Sequence, residues 1–556
     1  MADPSLVEFK GRYYLFPSVS GGFWYSDDLI GWEFHATPEL PVYDYAPDVQ
    51  EIDGHLVFCA SLVRGTCDFY RTADPLSGVW ERIPGSFAFF DPCLFQDDDG
   101  RVYLYWGSSG KKPVMGQELD RETFRPIGEP VEIVRGQPKV HGWERFGTDW
   151  DPSAQAKVQT LIQGDTYMEG AWMTKHDGVF YLQYSSTGTQ INTYSDGYYT
   201  ARSPLGPFDY SPYSPFSSNP AGFFTAAGHG ATVQDRHGNW WHTATMRISK
   251  RHMFERRIGL WPAGFDEDGV LFCNQEFADY PLHMPDGPAD PWSLTAREML
   301  LSWRRPVAAS SSHPKHPATL AVEEDVRTCW VPATSAPGQW ISVELAEGST
   351  VSSIQINVAD HDVKPPRHDR SATGKTLIWR RHIDLGEPPV EVLVEGSLDA
   401  VTWETLYDSR ATSLSRTHLF VELDSPRVLR HVRVTGFAQP YGSTFAVSGL
   451  RVFGQGDGTP PAAVFPTAHR VGPMNADIRW QAIAGADGYN VRYGLAADKL
   501  YHSWLVRDAH ELDLASLNTG HEYWVAVDSF NANGITRGTP VQVAAEPSER
   551  TLTWTR

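Results

Sequence analysis

The sequence predicts an all-β chain: a five-bladed β-propeller over residues 1–304, then one β-sandwich over 305–456 and another over 457–556. Three observations carry this. One hairpin pattern recurs five times in the first 245 residues. The composition breaks sharply near residue 305 and again near 455. After each break come short alternating strands of a different texture.

The repeated segments are "ADPSLVEFKGRYYLFPS" (2–18), "APDVQEIDGHLVFCAS" (46–61), "DPCLFQDDDGRVYLYWGS" (91–108), "EGAWMTKHDGVFYLQYSS" (169–186) and "GHGATVQDRHGNWWHTAT" (228–245). Each reads as strand, polar turn with Gly, strand, small residue. Further β-like stretches come after each one, such as "GFWYSDDLIGWEF" after the first. Hairpins repeated at a blade's spacing, with insertions, are the signature of a propeller.

The first break, "RRPVAASSSHPKHPATLAVEEDVRTCW", is a Ser/Pro/His-rich link. Strand-like segments come next, among them "WISVELAEGSTVSSIQI", "VEVLVEGSLDAVTWETLYDS" and "RVLRHVRVTGF". The second break, "GQGDGTPPAA", holds three Gly and two Pro in ten residues, a boundary by composition. Beyond it, "ADIRWQAI", "GYNVRYG" and "HEYWVAVDSF" alternate as strands of a small sandwich. On these segments residues 305–456 resemble a discoidin-type, family 32 carbohydrate-binding module and residues 457–556 resemble a fibronectin type III domain.

With 68 acidic and 47 basic residues the chain carries a formal charge of −21. That argues against nucleic acid or an anionic membrane as partner. No apolar window is long enough for a membrane span. "MADPSLVEF" has neither the basic region nor the apolar core of a signal peptide. Synthesis without a signal and removal of one are both compatible with it, so cytoplasmic, periplasmic and secreted locations stay open. Five scattered cysteines, Cys59, Cys67, Cys93, Cys273 and Cys329, show no metal-type spacing and read as buried thiols. Aromatics at 13% suit both β-structure and sugar clefts.

Registering the five hairpins on their turn glycines (Gly11, Gly54, Gly100, Gly178, Gly238) brings out a ring. Nine positions before the glycine, blades three, four and five hold Asp91, Glu169 and His229. Eight positions before it, blades one and two hold Asp3 and Ala46. Inner strands of a propeller start at one end of the central channel, so these positions converge although they are far apart in sequence. An Asp before Pro is often only a turn opener, as Asp74 and Asp290 illustrate, since neither starts a repeat. Glu169 precedes Gly170 and "AWM", where a lone acid does nothing for a turn. Converging carboxylates repel, which points to a site rather than to structural repetition.

These motifs resemble glycoside hydrolase family 43, five-bladed propellers acting on furanosides and xylosides. The resemblance rests on "ADP" (2–4), "APDV" (46–49), "FDPCLFQDDDGRVYLYWGS" (90–108), "EGAWMTKHDGVFYLQYS" (169–185) and "GHG" (228–230). It implies a glycosidase with Asp3 as general base, Asp91 as orienting acid and Glu169 as general acid. It also implies that His229 lines a channel holding calcium or water, and that Arg247 contacts the sugar. No cofactor is required for the chemistry. Only Met-Ala precedes Asp3 where typical members have a short closing strand, so fraying is expected there, or a longer native chain. Related fructoside enzymes carry Arg-Asp-Pro and Glu-Cys where this chain has Phe90-Asp91-Pro92 and Glu169-Gly170.

The expected activity is exo-hydrolysis of α-L-arabinofuranosyl or β-D-xylosyl residues from plant-type glycans, with inversion. β-D-galactofuranoside hydrolysis and a non-catalytic carbohydrate-binding propeller are the alternatives. Glu169 must hold its proton near neutrality, and a neighbouring Asp91 charge would help it do so. Trp24, Phe90 and Trp172 are candidates for stacking on sugar and equally for the core. Asp48 and Asp151 are substitutes should Asp3 not be the base. The basic insertion at 359–385, with His361, Arg367, His368, Arg370, Arg380, Arg381 and His382, is expected to pack on the acidic propeller.

Overall fold

The computed structural model describes residues 1–18, 20–41, 45–62, 65–145, 166–248, 256–359, 361–362, 390–410 and 418–544. Three four-stranded sheets are formed by residues 5–36, 45–83 and 93–134, each running in sequence order. The next two blades, 169–210 and 225–273, share one sheet through a single parallel bridge, Ser195 to Ala227. The innermost strands are Ser5–Phe9, Tyr45–Ile52, Cys93–Gln96, Glu169–His176 and Thr225–Gln234.

The hairpins form for local reasons. Blades one, two and four turn through Lys10-Gly11, Asp53-Gly54 and Asp177-Gly178, all at positive φ. That geometry matches the twist of the flanking strands and accounts for glycine in the second place. Blades three and five instead turn through 97–101 and 235–239, closed by Asp97 N–H to the Arg101 carbonyl (2.9 Å) and Asp235 N–H to the Asn239 carbonyl (2.8 Å). Apolar side chains on both faces pack against the adjoining blades. Val102, Tyr103, Leu104 and Tyr105 are at most 1% exposed, and full burial of such a side chain stabilises by about 1.5–3 kcal/mol.

The second unit pairs a sheet of Met299–Leu300, Val447–Gln455, Thr350–Val358 and His418–Val428 with one of Val307–Ala309, Gln339–Glu344, His431–Ala438, Glu391–Ser397 and Glu404–Asp408. Trp330, Ile341, Ile354 and Val434 fill the space between. Met299 and Leu300 pair with Gly454 and Phe453, so this sheet recruits residues upstream of position 304. The third unit sets a three-stranded sheet (Thr467–Gly472, Asn475–Arg479, Glu511–Leu514) on a sheet centred on Gly488–Gly494 and Trp524–Asn531. Among the described residues there is no α-helix, and no helix is long and apolar enough to cross a membrane.

Both sandwiches dock on the propeller. Arg451, 1% exposed, donates to the Asp279 carbonyl (2.6 Å) and pairs with Glu324 (2.8 Å). From the third unit, Lys499 reaches Asp266 (2.7 Å), and the Asn518 amide donates to the carbonyls of Pro212 (2.9 Å) and Ser214 (2.8 Å). Most of the basic insertion lies outside the described residues.

Candidate active site

At the start of each inner hairpin one residue sits at positive φ: Asp3 (50°), Ala46 (44°), Asp91 (50°), Gly170 (63°) and His229 (52°). An L-residue pays for that conformation, and a hydroxyl from the preceding blade secures it. The N–H of Ala46 donates to Ser18 Oγ (2.8 Å), that of Asp91 to Ser61 Oγ (2.7 Å), that of His229 to Ser185 Oγ (2.6 Å) and that of Asp3 to Thr245 Oγ1 (2.8 Å). The last of these joins blade five to blade one. The hydroxyls of Ser18, Ser61, Ser185 and Thr245, at the ends of four of the repeats, are thus fasteners.

This corrects the register in blade four. Its two-residue turn places it with blades one and two, so the matched position is Gly170, eight before Gly178. Glu169 stands one residue earlier, on the bulge between the Glu169–Ser185 and Trp172–Gln183 pairs. It still reaches the ring. Single donor atoms of Asp91, Glu169 and His229 lie within 4.8 Å of one another. His229 Nδ1 is 3.5 Å from Asp3 Oδ1 and 4.0 Å from Asp91 Oδ2. Glu169 and His229 are half-buried, whereas Asp3 and Asp91 are 4% and 3% exposed.

Burial and neighbouring charges push the groups around the ring in different directions. For Asp3, burial opposes ionisation, but the Arg256 guanidinium, His229 and the Ser18 hydroxyl outweigh it, and its carboxyl is held below the usual range. Arg256 clamps both oxygens, Nη1 to Oδ1 at 3.0 Å and Nη2 to Oδ2 at 3.1 Å, and Ser18 donates to Oδ2 at 2.6 Å. Burial raises Asp91 to about 7, against the pull of His229 and with a push from Glu169 and Asp3. Glu169 is raised as well, chiefly by burial, with Asp3 adding to it and His229 and the Tyr194 hydroxyl opposing. His229 shifts upward because the carboxylates of Asp3, Asp91, Glu169 and Asp196 outweigh its burial. Burial comes first for Glu169, ahead of the charge of a neighbouring acid.

Other expected residues take different places. Trp172 is 6% exposed, and its indole N–H donates to the Thr232 carbonyl (3.1 Å). It is a core residue and cannot present a face to sugar. Trp24 lies on the third strand of blade one, tilted against Phe34, two strands out from the channel. Asp48, 1% exposed, accepts from Ser5 Oγ (3.2 Å), Gln50 Nε2 (3.1 Å) and Leu94 N–H (2.6 Å). It ties three inner strands together below the ring and is not a substrate contact. Arg247 is 6% exposed and spans Thr225 Oγ1 (3.0 Å) and the Gln190 carbonyl (2.8 Å). Phe90, half-buried, stands beside Asp91. Asp151 lies outside the described residues. The expected fraying at Asp3 is not found: Ala2 is 2% exposed and Asp3 is held from both blades one and five.

Sequence reasoning missed Arg256, Tyr194, Ser108 and Tyr167. Tyr194 donates to Glu169 Oε1, while Ser108 Oγ reaches Oε2 (3.4 Å) and pairs with the Tyr167 hydroxyl (3.0 Å). The donor set also bears on calcium. That ion takes six to eight oxygens, whereas this cluster offers two carboxylates and an imidazole that its neighbours drive toward the charged form, in which it cannot ligate.

Residues 1–271 match the family model for glycosyl hydrolases family 43. Over this segment the chain is similar to that family. The chain is 26% identical over 388 residues to a protein of Vibrio sp described as xylan 1,3-beta-xylosidase, a match covering 60% of this chain and 65% of that protein. A protein of Aspergillus niger described as a beta-D-galactofuranosidase is 26% identical over 264 residues, 41% of this chain and 68% of its own length. One of Paenibacillus polymyxa described as an arabinoxylan arabinofuranohydrolase is 24% identical over 299 residues, 43% of this chain and 44% of its own length. The chain thus spans less than two thirds of the first and last of these relatives.

Proposed function

We propose that the family 43 propeller is an exo-acting glycoside hydrolase that removes α-L-arabinofuranosyl or β-D-xylosyl residues from plant-type glycans with inversion. The observation that carries the reading is a ring of three carboxylates in which one is held ionised and two are pushed toward the protonated form. Glycosidic cleavage needs that pairing of base and acid.

Asp3, kept ionised by Arg256, accepts a proton from the water that attacks the anomeric carbon. Glu169, half-buried and holding its proton, donates to the leaving oxygen. Asp91 and His229 stand between them and set the charge each one feels. Phe90 and Tyr167 are the aromatic groups beside the acids that fit the wall of a sugar subsite. The 305–456 sandwich reads as discoidin-like and the 457–556 sandwich as fibronectin type III-like. The polar contacts and ion pairs that tie them to the propeller favour a bracing role for both.

β-D-galactofuranoside hydrolysis is the second reading, favoured by the similarity to the Aspergillus niger protein. A panel of nitrophenyl α-L-arabinofuranoside, β-D-xyloside and β-D-galactofuranoside tests both readings. Release from either of the first two supports the main one, and release from the third alone supports the second. No release from any, by folded protein, leaves the non-catalytic binding propeller.

A further inference from the structure

The seam between the propeller and the second unit holds a cavity of about 230 Å³, walled by Ile248 and Arg257 on the propeller side and by His316, Cys329, His361 and His418 on the other. One nitrogen from each of His316 and His361 and the sulfur of Cys329 lie within 4.8 Å of one another. The His316 Nδ1 to Cys329 Sγ distance is 3.9 Å.

We propose that His316, Cys329 and His361 form a binding site for a late first-row divalent metal, zinc above all, with a fourth coordination position open to the cavity. One thiolate and two imidazoles are soft-to-borderline donors that select zinc over calcium or magnesium. With zinc–nitrogen distances of about 2.0–2.1 Å and zinc–sulfur of about 2.3 Å, tetrahedral donors sit roughly 3.5 Å apart. The three donors therefore need to close by only about an ångström.

The backbone beneath them is tied down. Val331 N–H donates to the His316 carbonyl (3.2 Å), His313 N–H to the Val331 carbonyl (2.7 Å) and Ala359 N–H to the Ala446 carbonyl (2.9 Å). These bonds hold the segments bearing His316, Cys329 and His361 to one sandwich. His316 Nδ1 also lies 3.2 Å from the Cys329 carbonyl oxygen. Nδ1 is thus the His316 nitrogen aimed at the Cys329 side of the cluster and the one placed to ligate.

Charge around the cavity sets the rest of the coordination. Lys315, Arg257 and Arg327 stand on its wall, Arg327 paired with Asp325 (2.9 Å). They oppose a bare cation. A divalent ion on one thiolate keeps a net positive charge, so the fourth ligand is expected to be anionic, such as hydroxide or chloride. Arg257 Nη1 donates to the Arg256 carbonyl (2.9 Å), so a metal here would brace the strand that carries the clamp on Asp3.

The test is cobalt titration of the chelator-stripped full chain. A sulfur-to-cobalt charge-transfer band saturating at one equivalent, and displaced by zinc, is expected. Cys329→Ser should abolish the band, while His316→Ala and His361→Ala each weaken binding at least about tenfold. Cys59, Cys93 and Cys273 are buried with thiols pushed up by desolvation, which makes them poor competitors. Absence of the band in wild type overturns the site, as does its persistence in Cys329→Ser. Should Cys329→Ser fail to fold by circular dichroism, His361→Ala, in a surface segment, decides. Unchanged cobalt affinity in that variant overturns the proposal equally.

Discussion

Arg256→Met removes the guanidinium from Asp3 and keeps an apolar stem of similar length. In the folded protein the Asp3 carboxylate would retain Ser18 at 2.6 Å and His229 at 3.5 Å, but burial would then have far less to oppose it. Two unit charges about 4 Å apart at an effective dielectric of about 20 interact by about 4 kcal/mol, equivalent to about three pKa units. Asp3 should therefore titrate two to three units higher (roughly, on that dielectric), and the acid limb of kcat/KM against pH should move up with it. Stability gives an independent reading. Because the folded pKa of Asp3 is depressed, its contribution is present above the unfolded carboxylate value and is lost as pH falls through the folded value. The variant should lose about 3–5 kcal/mol near neutrality, and the gap from wild type should close in acid. Urea unfolding at several pH values measures it, beside nitrophenyl glycoside kinetics. An acid limb in the wild-type position, with a stability loss independent of pH, would refute the pairing of Arg256 with the base.

Three further outcomes are expected. Glu169→Gln should cut turnover of substrates with poor leaving groups by about 10²–10⁴ and spare nitrophenyl glycosides, while Asp3→Asn damages both kinds alike; equal losses in the Glu169 variant would remove it as the acid. Asp91→Asn should fold and move the basic limb of kcat to lower pH, because Glu169 loses a neighbouring negative charge; a limb that stays put would assign the raised Glu169 pKa to burial alone. Thr245→Val leaves the Asp3 N–H without its hydroxyl and should cost ~1–3 kcal/mol, with loss of activity; thermal unfolding checks the first and the glycoside panel the second.

Much of the ring is legible in the sequence because each inner hairpin turns through a glycine at positive φ, Gly11, Gly54, Gly100, Gly178 and Gly238, and a glycine count then reaches Asp3, Asp91 and His229. The same count misplaces Glu169 by one. A polar turn of two residues and one of five both show Asp, Gly and charge, and only the hydrogen bonds of 97–101 and 235–239 tell them apart. Arg256 and Tyr194 escape because they come from third strands and connections, which carry no repeated register. Only the fold sets Arg256 directly across from Arg247 on the next strand. Trp172 misleads because alternation cannot reveal which neighbouring blade closes over a strand. The seam site is not legible at all, since His316, Cys329 and His361 meet only after a sandwich has folded.

The Ser and Thr fasteners put the chemistry out of phase with the blades. A working residue opens one blade, yet the hydroxyl that fixes its backbone ends the hairpin of the blade before. The heritable module is therefore a step from one blade into the next, Thr245 with Asp3, Ser61 with Asp91, Ser185 with His229. A chimera cut at blade boundaries would part each acid or imidazole from the group that holds it, whereas one cut between the second and third strands of a blade would carry both across together.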